Sequence, residues 1–215
     1  MRAVLALGLC GAIGCVSLPD ALPAALTEPA EDDPLTLAAD CLARGDEPAA
    51  AGHFERYVRA HPDQLAFRVH LADLYLKLGR DSEAKCHFER FATEAPGAAA
   101  GVQSHLVHCH TKLMEIAQRT DDRFGERLNR GIGLLVLVRQ GIDDADTREE
   151  ILCQAITALR EAKDERPKEA RVHLHLAEAH ERAGHRREAE VARATAKNLA
   201  RPGDMTPRTS FTLEP

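Results

Sequence analysis

Histidine and cysteine side chains concentrate in one short segment, His105-Leu106-Val107-His108-Cys109-His110. On a helix, His105, His108 and Cys109 are spaced three and four residues apart, so they share one side and could ligate a metal ion. His110 points about 100° away from Cys109, so all four side chains cannot converge on one ion. The sequence contains no Cys-x-x-Cys or His-Glu-x-x-His motif. The sequence therefore favours a structural role, in which this segment packs between helices, over a metal site. The alternative is a protein that handles a metal or haem.

A second group of histidines lies near the C-terminal end, at His173, His175, His180 and His185. On a helix His173 and His180 are seven residues apart and share a face, which favours packing. A pH-responsive surface is the alternative, because histidine changes charge near neutral pH. Single cysteines at apolar helix positions pack as small hydrophobes. We expect free thiols at Cys41, Cys86, Cys109 and Cys153.

Catalytic patterns do not stand out in the sequence. There is no serine nucleophile elbow, glycine-rich phosphate loop or evident pair of catalytic carboxylates. Gly131-Ile132-Gly133 does not follow a predicted strand, so it does not indicate a dinucleotide site and instead favours close helix packing. We predict a protein that is not an enzyme and has no cofactor.

Composition predicts the elements that carry these residues. The 215 residues include 36 Ala and 26 Leu, but only 16 Val and Ile together and eight aromatic residues without Trp. Ala and Leu are strong helix formers, whereas strands favour β-branched and aromatic residues. The sequence therefore predicts an all-α fold. A net charge of −6 argues against a general nucleic-acid binder.

The chain repeats itself every 34 residues. His53-Phe54-Glu55-Arg56-Tyr57 recurs as His87-Phe88-Glu89-Arg90-Phe91, and Gly45, Ala50 and Pro62 recur as Gly79, Ala84 and Pro96. Small, aromatic, glycine and proline residues at these spacings resemble the tetratricopeptide repeat. Arg68 stands where that repeat usually has Trp. The resemblance implies a solenoid of about 8–9 helices in antiparallel hairpins. Each hairpin buries its apolar face only by stacking on the next.

The repeats suggest the domain boundaries. Clear repeats cover 31–64, 65–98 and 170–203, and degenerate sequence covers 99–169. In the degenerate part we expect two long helices, about 102–119 and 122–140, and a polar insertion at 141–146. We expect glycines to end the first helices, Asp46 and Asp81 to cap the second helices, and prolines to end them. The helical domain is predicted to span 34–203, followed by a disordered tail at 204–215.

The N-terminal segment has the pattern of an export signal. Met1-Arg2 precedes sixteen uncharged residues, which is short for a membrane span but suits a signal peptide. Ala12-Ile13-Gly14-Cys15 resembles the bacterial lipobox, which implies lipidation of Cys15. We therefore expect a signal peptide at 1–14, a proline-rich acidic tether at 15–33, and a lipoprotein of the bacterial cell envelope facing the periplasm or the outside.

The tetratricopeptide resemblance also implies how the protein would act. Such stacks hold a peptide or a partner helix in a groove lined by the first helix of each hairpin. The matching positions are Val69, Asp73, Leu76, Lys77, Arg171, Leu174, Glu178, Glu181 and Arg182. The Lys and Asn clamp that some members use for a C-terminal carboxylate is absent. We expect a non-enzymatic scaffold or adaptor, or alternatively an accessory subunit of an envelope-assembly enzyme complex.

Overall fold

A computed structural model describes residues 33–97 and 100–200, and these are almost entirely helical, without a β-strand among them. The prediction of an all-α fold is confirmed. In chain order the helices are α1 Pro34–Ala43, α2 Glu47–Ala60, α3 Leu65–Lys77, α4 Asp81–Glu94, α5 Ala100–Gln103, α6 Leu106–Arg119, α7 Arg123–Gln140, α8 Ala145–Glu165, α9 Ala170–Arg182 and α10 Arg186–Leu199. A 3₁₀ turn, Ala95–Gly97, follows α4.

Three helix pairs form the predicted hairpins: α1 with α2, α3 with α4, and α9 with α10. The first helix of each pair ends at a glycine with positive φ, Gly45 (75°), Gly79 (71°) and Gly184 (77°). Glycine adopts this left-handed conformation without a steric penalty, which explains why the chain turns sharply at these three positions.

The two predicted aspartate caps differ in the structure. The carboxylate of Asp46 accepts a hydrogen bond from the Ala49 backbone N–H at 3.1 Å, so this cap is confirmed. The prediction for Asp81 is wrong, because Arg80 occupies the N-cap position and Asp81 is the first helical residue. Its carboxylate instead accepts hydrogen bonds from Arg119 on α6, at 2.8 and 3.0 Å. Asp81 therefore joins neighbouring hairpins.

The degenerate middle of the chain contains three long helices, α6, α7 and α8. The central one, α7, packs against both of the others. The predicted helix at 102–119 is broken near Ser104 and His105, which separate α5 from α6. The predicted polar insertion shortens to residues 141–144, and the carboxylate of Asp144 caps α8 by accepting from the Thr147 N–H at 2.7 Å. A Cβ built on Gly131 would lie 2.5 Å from Leu159 Cγ, so this glycine does permit close packing of α7 on α8.

The core changes character along the stack. Tyr75, Phe88 and Phe91 are fully buried in the second hairpin. The last helix, α10, buries only Ala189, Ala192 and Ala196. The last helix therefore packs through alanine alone, whereas α9 also buries Val172 and Leu176.

Several sequence predictions concern other parts of the chain. The signal peptide, Cys15 and the tail at 204–215 lie outside the described residues, as does the tether apart from Asp33. Asp33 caps α1 by accepting from the Thr36 N–H at 3.2 Å. Within residues 33–97 and 100–200, no helix is both long and apolar enough to cross a membrane.

Candidate partner-binding face

Polar side chains connect the first helix of the second hairpin, α3, to α6. His108 Nε2 on α6 lies 2.9 Å from Asp73 Oδ1 on α3. One turn earlier, the rings of His70 and His105 meet at 6.3 Å between centroids. Burial lowers the pKa of both His70 and His105. These two rings are therefore neutral at pH 7, and they form a half-buried surface beside the His108–Asp73 pair.

A buried histidine links α6 to α7. His110 is 6% exposed, and its Nδ1 lies 3.0 Å from Asn129 Oδ1. The Asn129 side-chain amide donates to the Gly125 carbonyl at 2.8 Å, so its oxygen faces His110 as an acceptor. His110 therefore donates from Nδ1. Burial lowers the pKa of His110 to about 4, and the charges of His175, Arg139 and Arg171 act in the same direction.

A glutamate connects α7 to α9. Glu178 Oε1 lies 3.0 Å from Arg139 Nε and 3.1 Å from Arg182 Nε, and His175 Nδ1 lies 3.8 Å from the other carboxylate oxygen. Burial alone would raise the pKa of Glu178, but the nearby His175 and the charges of Arg139 and Arg182 together lower it. The carboxylate is therefore ionised and compensates part of a local excess of positive charge.

Two groups of contacts, one joining α3 to α6 and the other joining α7 to α9, mark the surface that we call the first-helix face. Its members are His70, Asp73, Leu76 and Lys77 of α3, His105 and His108 of α6, and Arg171, Leu174, His175, Glu178 and Arg182 of α9, with Arg139 of α7 beside them. Leu174 is 37% exposed, whereas Val69 is only 2% exposed and is not available to a partner. Glu181 pairs with Arg193 of α10 at 2.7 Å and faces that helix instead.

The candidate metal ligands have separate partners. His108 pairs with Asp73, and the ring of His105 also contacts Phe91 at 6.3 Å. The thiol of Cys109 is buried and donates to the Phe88 carbonyl at 3.1 Å, and burial raises its pKa to about 12. Metal ligation by cysteine requires a thiolate. Among the described residues, no three His, Cys, Asp or Glu side chains form a group able to hold a metal ion.

The other histidines and cysteines are distributed as follows. His173 and His180 are both buried, and His173 Nε2 lies 2.8 Å from the Pro167 carbonyl oxygen. All four predicted thiols are free. The expectation that each occupies an apolar position is wrong for two of them, because Cys86 and Cys153 are exposed while Cys41 and Cys109 are buried.

Three members of the polar network could not be predicted from the sequence: His70, Asn129 and Arg139. They contact residues that are 19 to 39 positions away in sequence. His175 belongs to the predicted histidine group, but its contact with Glu178 was not predicted. His70 is adjacent in sequence to Val69, a predicted groove residue. Asn129 and Arg139 lie in the segment where no repeat pattern was identified. His175 lies at a position to which the repeat pattern assigns no role. A helical-face plot of α9 would place His175 beside Glu178, three residues on.

Comparison with known families identifies the N-terminal half of this stack. The sequence model of the tetratricopeptide repeat family matches residues 27–112, which include the first two hairpins and the first half of α6. The resemblance of this part of the chain to the tetratricopeptide repeat is thereby confirmed. No curated protein matches the sequence.

Solved structures of repeat proteins are similar to most of the chain. A thermophilic tetratricopeptide repeat protein of Thermus thermophilus, TTC0263, shares 25% identity, with 79% of this chain and 74% of that chain covered and a TM-score of 0.38. A MamA protein shares 16% identity over 85% and 96% of the two chains, with a TM-score of 0.40. MamA of Desulfovibrio magneticus RS-1 shares 16% over 77% and 92%, with a TM-score of 0.37.

Proposed function

We propose that this chain, a tetratricopeptide repeat protein over residues 27–112, is a non-enzymatic scaffold that binds a peptide or a partner helix along the first-helix face. The observation that carries the proposal is the set of interhelical polar contacts that join α3 to α6, α6 to α7 and α7 to α9. Interhelical hydrogen bonds and ion pairs hold the polar groups of the face in fixed positions. A preformed surface loses little conformational entropy when a partner binds.

The charges of the first-helix face suggest the chemistry of its partner. Within the described part of the chain, Lys77 and Arg171 have no ion-pair partner, and Arg139 and Arg182 share the single carboxylate of Glu178. The partly exposed Leu76 and the exposed Leu174 supply apolar surface on the same two helices. We therefore expect a partner segment that carries carboxylates beside apolar side chains.

Charge reversal tests this binding mode. The intact protein and its Arg171→Glu and Lys77→Glu variants would be used to capture partners, whose amounts are measured by quantitative mass spectrometry. A partner that uses the face should be lost by at least about tenfold, which corresponds to about 1.4 kcal/mol. Arg130→Glu is the matched control, because Arg130 is exposed on α7 outside the defined face. Equal recovery with all three variants would contradict the proposal.

We further propose that the scaffold acts in the bacterial cell envelope, held there by a lipid on Cys15. The support is the short apolar N-terminal segment and the lipobox-like Ala12-Ile13-Gly14-Cys15. An acylated cysteine anchors a protein without a membrane-spanning helix. Mass spectrometry of the mature protein should find an N-terminal acylated Cys15, and Cys15→Ser should release the protein from membranes. A mature N-terminus elsewhere, or unchanged membrane association, would refute the anchor.

A further inference from the structure

Arg68 occupies the repeat position where tryptophan is usual, and it is only 4% exposed. It lies on α3 where this helix meets α2 and α4. Its Nε atom is buried and has no hydrogen-bond partner among the described residues, and Arg68 has no ion pair there. A buried N–H donor without a partner is costly, because burial removes the water that would accept its hydrogen bond. This donor therefore lacks an explanation within the hairpin.

The guanidinium of Arg68 borders a cavity of about 240 Å³ between α2, α3 and α4. Arg59, Arg90 and His87 also line this cavity, and its one carboxylate is Glu55. His87 Nδ1 is a second buried polar atom without a partner. Both residues that carry an unpartnered buried nitrogen thus line the same space. A water needs only about 10–15 Å³ of such space, so a small anion with its own waters can be accommodated.

The ion pairs around the cavity leave positive charge uncompensated. Glu55 accepts from the Tyr75 hydroxyl at 3.2 Å and lies 3.6 Å from Arg59. Arg90 pairs with Glu94 at 2.9 Å, on the exposed side. Arg68 is left without a counter-ion in the described part of the chain. Burial lowers the pKa of Arg68, and the charge of Arg90 adds to this effect.

The last hairpin contains an equivalent cavity that is also lined by basic side chains, Arg160, Lys163 and Arg187, but by no buried nitrogen that lacks a partner among the described residues. About 450 Å³ in size, it lies between α8, α9 and α10, with His173 at the position of Arg68, 105 residues later. His173 Nε2 is already hydrogen-bonded to the Pro167 carbonyl. Ala192 and Thr195 stand at the positions of His87 and Arg90. Absence of the tryptophan therefore leaves a cavity in both hairpins, but among the described residues only the cavity beside Arg68 is lined by residues with unpartnered buried nitrogens.

We propose that the Arg68 cavity binds a phosphate group, with Arg68 and His87 as its hydrogen-bond donors. Guanidinium groups suit phosphate because several N–H donors lie in one plane, and charge-assisted hydrogen bonds of this kind are strong. Neutral His87 donates in its Nδ1–H tautomer, and Arg59 and Arg90 supply charge at the opening. The site is formed with the second helices α2 and α4, so it is separate from the first-helix face.

The test compares thermal unfolding and the His87 imidazole NMR signals in phosphate and in sodium chloride of equal ionic strength. Phosphate at about ten times its Kd should raise the Tm by several degrees and shift the His87 signals in a saturable way. Glycerol phosphate in place of phosphate distinguishes the two sources of the group: a response to both indicates a phosphate ester, and a response to phosphate alone indicates the free anion.

Variants keep the test decisive. Arg68→Met and Arg68→Trp should each remove the phosphate response, with affinity at least tenfold weaker, and Arg68→Trp should itself raise the Tm by filling the cavity. His173→Trp, which fills the equivalent cavity, and Arg130→Gln should retain the response. Circular dichroism would confirm folding, and Arg68→Met replaces Arg68→Trp if the larger residue does not fit. A response equal to that of chloride, or an unchanged response in Arg68→Met, would overturn the proposal.

Discussion

Replacing Gly131 by alanine is expected to destabilise the protein by about 1 kcal/mol, although alanine is the better helix former. Helix propensity alone favours alanine over glycine by about 1 kcal/mol. The new Cβ, however, would lie 2.5 Å from Leu159 Cγ, 2.8 Å from its Cδ2 and 3.3 Å from the Ala155 carbonyl oxygen. Leu159 is fully buried and cannot move aside freely. Overpacking of this kind costs about 1–3 kcal/mol, so the clash outweighs the gain.

Gly133→Ala is the matched control in the same helix. Its Cβ would meet only His110 Cβ, at an ordinary 3.5 Å, so it should stabilise the protein by about 0.5–1 kcal/mol. Urea unfolding followed by circular dichroism measures both changes. A stabilising Gly131→Ala would refute the reasoning about α7 and α8. In a Leu159→Ala background both contacts with the leucine disappear and only the 3.3 Å approach to the Ala155 carbonyl oxygen remains, so Gly131→Ala should cost less there than in the parent protein.

Three further outcomes follow from burial and charge. His110 has a pKa of about 4 against an ordinary 6.5, so its neutral form stabilises the fold fully above pH 6.5, and about 3 kcal/mol of that is lost as pH falls toward 4. In urea unfolding, the free energy of unfolding of His110→Gln should change by that much less between pH 6.5 and pH 4. A change equal to that of the parent protein would contradict this role of His110. Glu178→Ala should cost about 2–3 kcal/mol because it strands Arg139, whereas Glu181→Ala, an exposed pair, should cost under about 1 kcal/mol in the same unfolding assay. N-ethylmaleimide should modify Cys86 and Cys153 rapidly but reach Cys109 only on unfolding, and rapid labelling of Cys109, detected by mass spectrometry, would show that α6 opens.

Repeat spacing predicts local structure well where one residue type decides the conformation. Gly45, Gly79 and Gly184 end helices because the left-handed conformation at each turn favours glycine. The same reasoning fails for Asp81, whose carboxylate could cap α4 or bind Arg119, 38 residues later. Local sequence contains no information on that competing partner. The outcome depends on how neighbouring hairpins stack.

The first-helix face was predictable in position but not in composition. Spacing places Leu174 and Glu178 on the same helix, yet it gives no indication that Arg139 of α7 completes the ion pair. The α7 helix lies in the degenerate segment, where no repeat register could be read. The packing of α7 against α6 and α9 brings these three helices together around His110. Contacts of this kind depend on tertiary packing rather than on sequence periodicity.

Leu174 and Val191 provide the most direct test of the proposed scaffold function. They are the two large exposed apolar residues among those the structure describes, one on the first-helix face of α9 and the other on α10. A photo-crosslinking amino acid would replace each in turn in the cell, and the adducts would be identified by mass spectrometry. The account predicts that one partner is captured from Leu174, lost with Arg171→Glu, and not captured from Val191. Capture of that partner from Val191 alone would contradict it.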